Sequence, residues 1–145
     1  MFNSILLPLS DAENSFKPVE AVMSMAQATG AKVVVLSVAE PRLYRASDRD
    51  SLQTGAAAEA EHLEWAQRRT DMACAAAEGA GVQCERVVSV SASPEDEILK
   101  ASRRFNCDLI VMATRGKTGV IDTLFSESTT QQVIRQSGIP VLVFP

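Results

Sequence analysis

Residues 107–119 read CDLIVMATRGKTG, a run of apolar β-formers that gives way to a doubly basic, glycine-containing turn. The apolar run is short and continuous rather than alternating, the pattern of a strand covered on both faces in a parallel sheet. The GKT of the turn resembles the end of a phosphate loop. A Walker A loop is G-x-x-x-x-G-K-[ST], however, so Gly116, Lys117 and Thr118 would need a glycine at position 111, where the chain has Val111. What a basic turn behind a buried strand holds must therefore be read from its surroundings.

Similar runs recur along the chain. ILLPL at 5–9 and KVVVLSVAE at 32–40 are continuous apolar stretches, the second with four Val and a Leu. VQCERVVSVS at 82–91 and PVLVF at 140–144 bring the predicted strands to five. Between them lie helix patterns. Val19, Val22, Met23 and Ala26 recur at i, i+3, i+4 and i+7, with Pro18 in the first turn and Gly30 placed for a left-handed cap. Residues 56–81 form a long alanine-rich helix pattern, with Leu63, Ala66, Thr70, Ala73 and Ala77 on one face and a Glu64–Arg68 pair on another. SPEDEILKASRRF at 93–105 opens with Ser93 as N-cap, Pro94 at N1 and Asp96 at N3, close to a capping box. A last helix runs from about Ser126 to Gly138. Pro41 to Gly55 mixes charges with turn formers and reads as a long mobile connection of the kind that covers sites.

Strands alternating with helices imply one α/β domain over residues 1–145: an open five-stranded parallel sheet with helices on both faces. In such sheets ligands bind outside the carboxyl ends of the strands, where successive connections depart to opposite sides. The turns that matter are those after the first strand (Pro8, Ser10, Asp11), the second (Val38 to Pro41) and the fourth (MATRGKTG and the helix from Ser126).

Bulk composition narrows the function. The chain has 145 residues, 46% of them hydrophobic, enough for one core. A net charge of -4 offers no cation excess for nucleic acid or an anionic membrane, and both are excluded as expected partners. No apolar run approaches the roughly 20 residues that cross a bilayer, and MFNSILLPLSD lacks the basic region of a signal peptide, so a cytoplasmic protein is expected. Cys74, Cys84 and Cys107 are odd in number and share no C-x-x-C spacing, and are read as reduced, isolated structural thiols.

The residues resemble the universal stress protein family along essentially the whole chain. ILLPLSDAENS is similar to the family's opening strand and turn, GAKVVVLSVAEP to its second strand, CDLIVMATRGKTG to its fourth strand and loop, and SGIPVLVFP to its closing strand. The resemblance implies a Rossmann-like fold of the adenine nucleotide alpha hydrolase type and a homodimer. Many members bind ATP through Gly, two residues, Gly, nine residues, Gly and then Ser or Thr, whose backbone amides hold the phosphates. In that register the first position falls on Ala113, after Met112, the second on Gly116, flanked by Arg115 and Lys117, and the last pair on Ser126 and Glu127. With one extra residue in the loop the last pair becomes Glu127 and Ser128, which better suits the following VIRQSGIPV. Both registers stay open, and both keep Glu127 inside the motif.

These departures have physical consequences. A side chain where glycine is expected crowds the approach of backbone to phosphate or strains a positive φ. Glu127 at a helix N-terminus would take the dipole that otherwise favours phosphate, so the anion site is expected to be plugged by the protein's own carboxylate. A like charge about 4 Å from a phosphate costs roughly 1–4 kcal/mol, which Arg115 and Lys117 offset in part. ATP-binding members usually offer the adenine an Asp after the first strand, and Ser10 stands there, while Val38, at a position that packs on adenine, and Pro8 are kept. RGKTG stays open between a solvated turn and a residual anion site.

An enzyme is not expected. His62 is the lone histidine and lies between Glu61 and Glu64, Asp11 and Glu13 suit helix capping better than base catalysis, and no G-x-S-x-G surrounds Ser10. With these absences, the resemblance implies a non-enzymatic cytoplasmic stress-response module, regulatory or protective, without a cofactor or metal. It is expected to dimerise through the uncovered last strand, Pro140 to Phe144. The alternative is an ATP-responsive switch, with Mg accompanying the nucleotide.

Overall fold

A computed structural model of the chain describes residues 1–10, 17–39, 51–114 and 127–145, with the side chains of 51–59, 62 and 127 excepted. Among the described residues nine elements follow one another: β1 (Ser4–Leu9), α1 (Lys17–Thr29), β2 (Lys32–Ala39), α2 (Ser51–Gly79), β3 (Cys84–Val90), α3 (Pro94–Arg104), β4 (Leu109–Ala113), α4 (Glu127–Gln136) and β5 (Val141–Phe144). The five strands form one parallel sheet in the order β3-β2-β1-β4-β5. The open parallel α/β fold expected from the alternating patterns is the fold observed.

Strand alternation builds two cores. Ile5, Leu7, Leu9, Val33, Val35 and Val111 face one layer with Val22, Met23 and Ala26 of α1 and Ala73 and Ala77 of α2. Leu6, Val34, Leu36, Ile110 and Met112 face the other with Ile98 and Ala101 of α3 and Val133 of α4. A strand buried on both faces has no polar side to alternate with, which is why its sequence reads as a continuous apolar run. Asp108 locks the central pair: its carboxylate accepts the Asn3 N–H at 2.9 Å and the Ser4 N–H at 3.1 Å, and its own N–H donates to the Ser4 carbonyl at 2.9 Å. Gly30 (φ 73°) takes the left-handed cap the sequence assigns to it.

Three expectations require correction. The connection read over Pro41–Gly55 is too long, because Ser51–Gly55 already belong to α2; residues 41–50 lie outside the described set. The inner face of α2 begins one turn later than the pattern predicts: Ala66, Thr70, Ala73 and Ala77 are buried, whereas Leu63 is exposed. The helix is longer than the layer it covers, about 43 Å for 29 residues at 1.5 Å each, against about 26 Å for the eight residues of β2. Arg69 meets Ser37 near the carboxyl end of β2 and Cys74 meets Cys84 at the start of β3, so α2 runs antiparallel to the strands and its first half overhangs their carboxyl ends. Ser93 sits at the N-cap of α3 but makes no capping bond, its hydroxyl donating instead to the Glu95 carboxylate at 2.9 Å.

The cysteines also differ from expectation. Cys74 and Cys84 are joined in a disulfide, with Cα atoms 5.7 Å apart and a sequence separation of 10. Spacing rules miss this pair because tertiary structure makes it: the chain reverses through Gly81 (φ 69°) and lays the inner face of α2 over the first residue of β3. Cys107 is free and buried, as a structural thiol should be. Burial pushes its pKa up, against the opposing effect of the Ser4 hydroxyl, which donates to its Sγ at 3.5 Å.

Ile110 is fully buried in the middle of β4, between β1 and β5. Replacing it with Ala should lower unfolding free energy by roughly 2–5 kcal/mol in urea denaturation, the cost of lost burial plus an uncollapsed cavity.

Candidate functional site at the carboxyl edge of the sheet

The chain leaves β1 for β2 through α1 on one face, whereas β4 lies on the other side of β1 with α3 and α4 on the opposite face. The switch point is therefore between β1 and β4, where a crevice is expected. Pro8 partners Leu36 and Leu9 partners Ser37, with Val38 one rung further along β2. The β1–β4 register pairs Leu6 with Ile110 and, continued, sets Pro8 level with Met112 and Ser10 level with Thr114. Five of the expected site residues, Pro8, Ser10, Val38, Met112 and Ala113, thus converge on one edge.

Their side chains do different things there. Met112 is fully buried in the layer beneath α3 and α4, so only its backbone is available to a ligand. Val38 belongs to the same layer and is 5% exposed at its outer end. Ser10, 5% exposed, places a short hydroxyl just past β1. Ala113 packs its methyl against Phe144 of β5, and Thr114 N–H donates to the Phe144 carbonyl at 2.8 Å. The first position of the family's glycine motif is thus filled by a side chain in contact. Arg115, Gly116, Lys117 and Ser126 lie outside the described residues, as do Asp11, Glu13 and the side chains of His62 and Glu127. Glu127 is the first residue of α4, and Ser128 follows it, exposed.

Two polar constellations here are not singled out by sequence reasoning. Arg69 of α2 is 6% exposed and donates Nε and an Nη to the Ser37 hydroxyl at 3.2 and 3.0 Å. Glu95, in the first turn of α3, accepts the Ser93 hydroxyl with one oxygen and, at 3.4 Å, the Thr129 hydroxyl of α4 with the other. The starts of two helices, where positive dipole ends gather, therefore already share a carboxylate of the chain itself. Burial of Arg69 has a faint signal, since Ala66, Arg69, Thr70 and Ala73 fall on one helical stripe; the Glu95–Thr129 contact, 34 residues apart, has none.

Among the described residues no group of three or more His, Cys, Asp or Glu is arranged to hold a metal ion. No helix among them is long and apolar enough to cross a membrane.

Comparison with known proteins agrees with this architecture. A family model described as the universal stress protein family matches residues 1–145. A universal stress protein of Thermus aquaticus is 31% identical, over 99% of this chain and 98% of its own. One from Methanocaldococcus jannaschii is 27% identical over 99% and 94% of the two chains. A solved structure assigned to that archaeal protein superposes with a TM-score of 0.79 at 24% identity, covering 99% of this chain and 95% of its own. A universal stress protein solved in complex with cAMP has a TM-score of 0.67 at 18% identity over 99% and 97% of the two chains.

The Arg69–Ser37 contact predicts an asymmetry between neighbouring arginines. Ser37→Ala, which removes one acceptor from the buried Arg69 guanidinium, should cost roughly 1–3 kcal/mol. Arg68→Ala, which removes the exposed pair with Glu64, should cost less than about 1 kcal/mol. Urea denaturation of both variants measures the difference.

Proposed function

The chain belongs to the universal stress protein family, and on that premise we propose that it is a non-enzymatic, cytoplasmic regulatory or protective module that acts as a homodimer without high-affinity ATP binding. The observation that carries this reading is the packing of Ala113 on Phe144 at the position where nucleotide-binding members of the resembled pattern have glycine. Ser10 in place of the adenine-binding carboxylate and Glu95 at the paired helix starts point the same way. Each removes a donor or acceptor, or an unfilled approach, that a nucleotide needs.

The dimer reading rests on β5. It is an edge of the sheet, its main chain pairs on one side with β4, and Leu142 is 41% exposed. An apolar edge of this kind is completed by a second copy of itself more readily than by water.

A second reading keeps the fold and makes the protein an ATP-responsive switch, with Mg accompanying the nucleotide. It is favoured by solved proteins of this fold that hold cAMP, dAMP or AMP. In it the base would lie between Val38 and Ser10, and the phosphates beside the Arg115–Lys117 turn and the start of α4.

Isothermal calorimetry with Mg-ATP separates the two readings. The first expects no binding tighter than about millimolar, a free energy of only ~4 kcal/mol, and a micromolar dissociation constant would overturn it. If Ala113 and Glu127 are the obstacles, Ala113→Gly with Glu127→Gly should strengthen ATP binding by at least about fivefold. Light scattering on a sizing column should give twice the 15.6 kDa chain mass at micromolar concentration, and Leu142→Glu should return it to the monomer.

A further inference from the structure

The disulfide lies at the opposite end of the molecule from the crevice. Cys74 is on the inner face of α2, near its carboxyl end, and Cys84 opens the edge strand β3. A second rung lies beside it, since Asp71, three residues before Cys74 on the helix, pairs with Arg86, two residues after Cys84 on the strand, at 3.3 Å. A cavity of about 490 Å³ opens on this ladder, lined by Cys74, Glu78, Val82, Gln83, Cys84 and Arg86. Cys74 is 2% exposed, while Cys84 is half-buried.

We propose that Cys74 and Cys84 form a redox-reversible pair, oxidised to the disulfide by a hydroperoxide and returned to two thiols by a small thiol that reaches the sulfurs through this cavity. A structural disulfide sealed in a core offers no path for exchange, whereas here a cavity large enough for a small thiol is lined by both cysteines. Arg86 and Glu78 stand on its wall, and Arg86 is paired with Asp71. The third cysteine supplies the contrast: Cys107 is 6% exposed and its thiol pKa is raised by burial, which keeps it protonated and inert.

The chemistry balances with the peroxide as sole oxidant. The Cys84 thiolate attacks the terminal peroxide oxygen, the O–O bond breaks, and the departing oxygen takes the proton released from the thiol and leaves as an alcohol, or as water from hydrogen peroxide. Cys84 is then a sulfenic acid. The Cys74 sulfur attacks it, the S–S bond forms, and the S–O bond breaks to release water with the Cys74 proton. Two thiols have lost two electrons and two protons, and the peroxide has taken up both. Reduction consumes two small thiols, which end as their own disulfide. In a reducing compartment the pair stands as the two thiols expected from the sequence, and peroxide stress fastens α2 to the edge of the sheet.

The test uses the whole wild-type chain, reduced, desalted and exposed to hydrogen peroxide under native conditions. Expected are a mass loss of two hydrogens, a peptide map joining Cys74 to Cys84, one remaining thiol at Cys107, and recovery of both thiols with reduced glutathione in the folded protein. The reduced form should melt roughly 5–10 °C lower, because the bond closes a short loop in a chain of this size. In Cys74→Ser, which lacks the second thiol, Cys84 should stop at sulfenic acid and be trapped by dimedone. Reduction by glutathione only after unfolding in urea would make the bond an inert staple and overturn the proposal, as would peroxide treatment that leaves the two thiols unlinked. A dimedone adduct absent from Cys84 would overturn its role as the attacking thiol.

Discussion

The position of β1 between β2 and β4 is the constraint on which the rest of the molecule depends. The crossovers that leave it toward β2 and β3 carry α1 and α2 over one face of the sheet, those that build β4 and β5 carry α3 and α4 over the other, and this reversal creates the switch point at the carboxyl edge. Hydrophobic burial, which fully covers Ile5, Leu6, Val34 and Ile110, is non-directional and does not by itself choose that order. The Asp108 carboxylate selects it, accepting two N–H groups at the head of β1 that would otherwise have no partner in the strand ladder. Charge-assisted bonds of this kind are among the stronger ones in a fold, and here they fix register as well as adjacency.

From that arrangement the two ends of the sheet acquire different characters. At the carboxyl end, α2 overhangs the strands, and the polar contacts Arg69–Ser37 and Glu95–Thr129 tie helix to strand and helix to helix. At the amino end of β3, α2 comes down onto an edge strand and is held by one covalent bond and one ion pair. An edge strand lacks one flanking ladder, so the contacts that its covering helix supplies carry a larger share of its local stability than they would at the centre. A bond that is made and broken there acts on this edge of the sheet without passing through the carboxyl-edge site.

The fold was legible because its signals are local: four continuous apolar runs and a fifth Val-rich segment, helix stripes at i, i+3 and i+4, and Gly30 at a position that needs positive φ. Element boundaries shifted by one or two residues except where composition misled, at Ser51–Gly55, whose turn-forming residues are helical all the same. The carboxyl-edge convergence of Pro8, Ser10, Val38, Met112 and Ala113 was also legible, because topology brings together whatever stands at those strand ends. What escaped depends on pairing across the fold. The Cys74–Cys84 bond, the burial of Arg69 and the link from Glu95 to Thr129 each join elements whose mutual approach no spacing rule encodes. Ser93 failed as a cap for a related reason, since its hydroxyl found a carboxylate two residues away instead of a backbone N–H.

Ala113 connects the two features on which the proposed function turns. On the proposed reading its methyl is an obstacle to a phosphate held by backbone amides, and the same methyl rests on Phe144 at the end of β5, where Thr114 extends the contact by donating to the Phe144 carbonyl. Burying one such group is worth about 0.8 kcal/mol, and a glycine there would lose this while loosening the backbone of the strand end. On that reading, the residue that weakens the nucleotide site also supports the edge strand through which a second copy would pair. On the proposed reading, loss of ATP affinity and retention of the dimer are not independent events at this edge, because one side chain pushes both in the same direction.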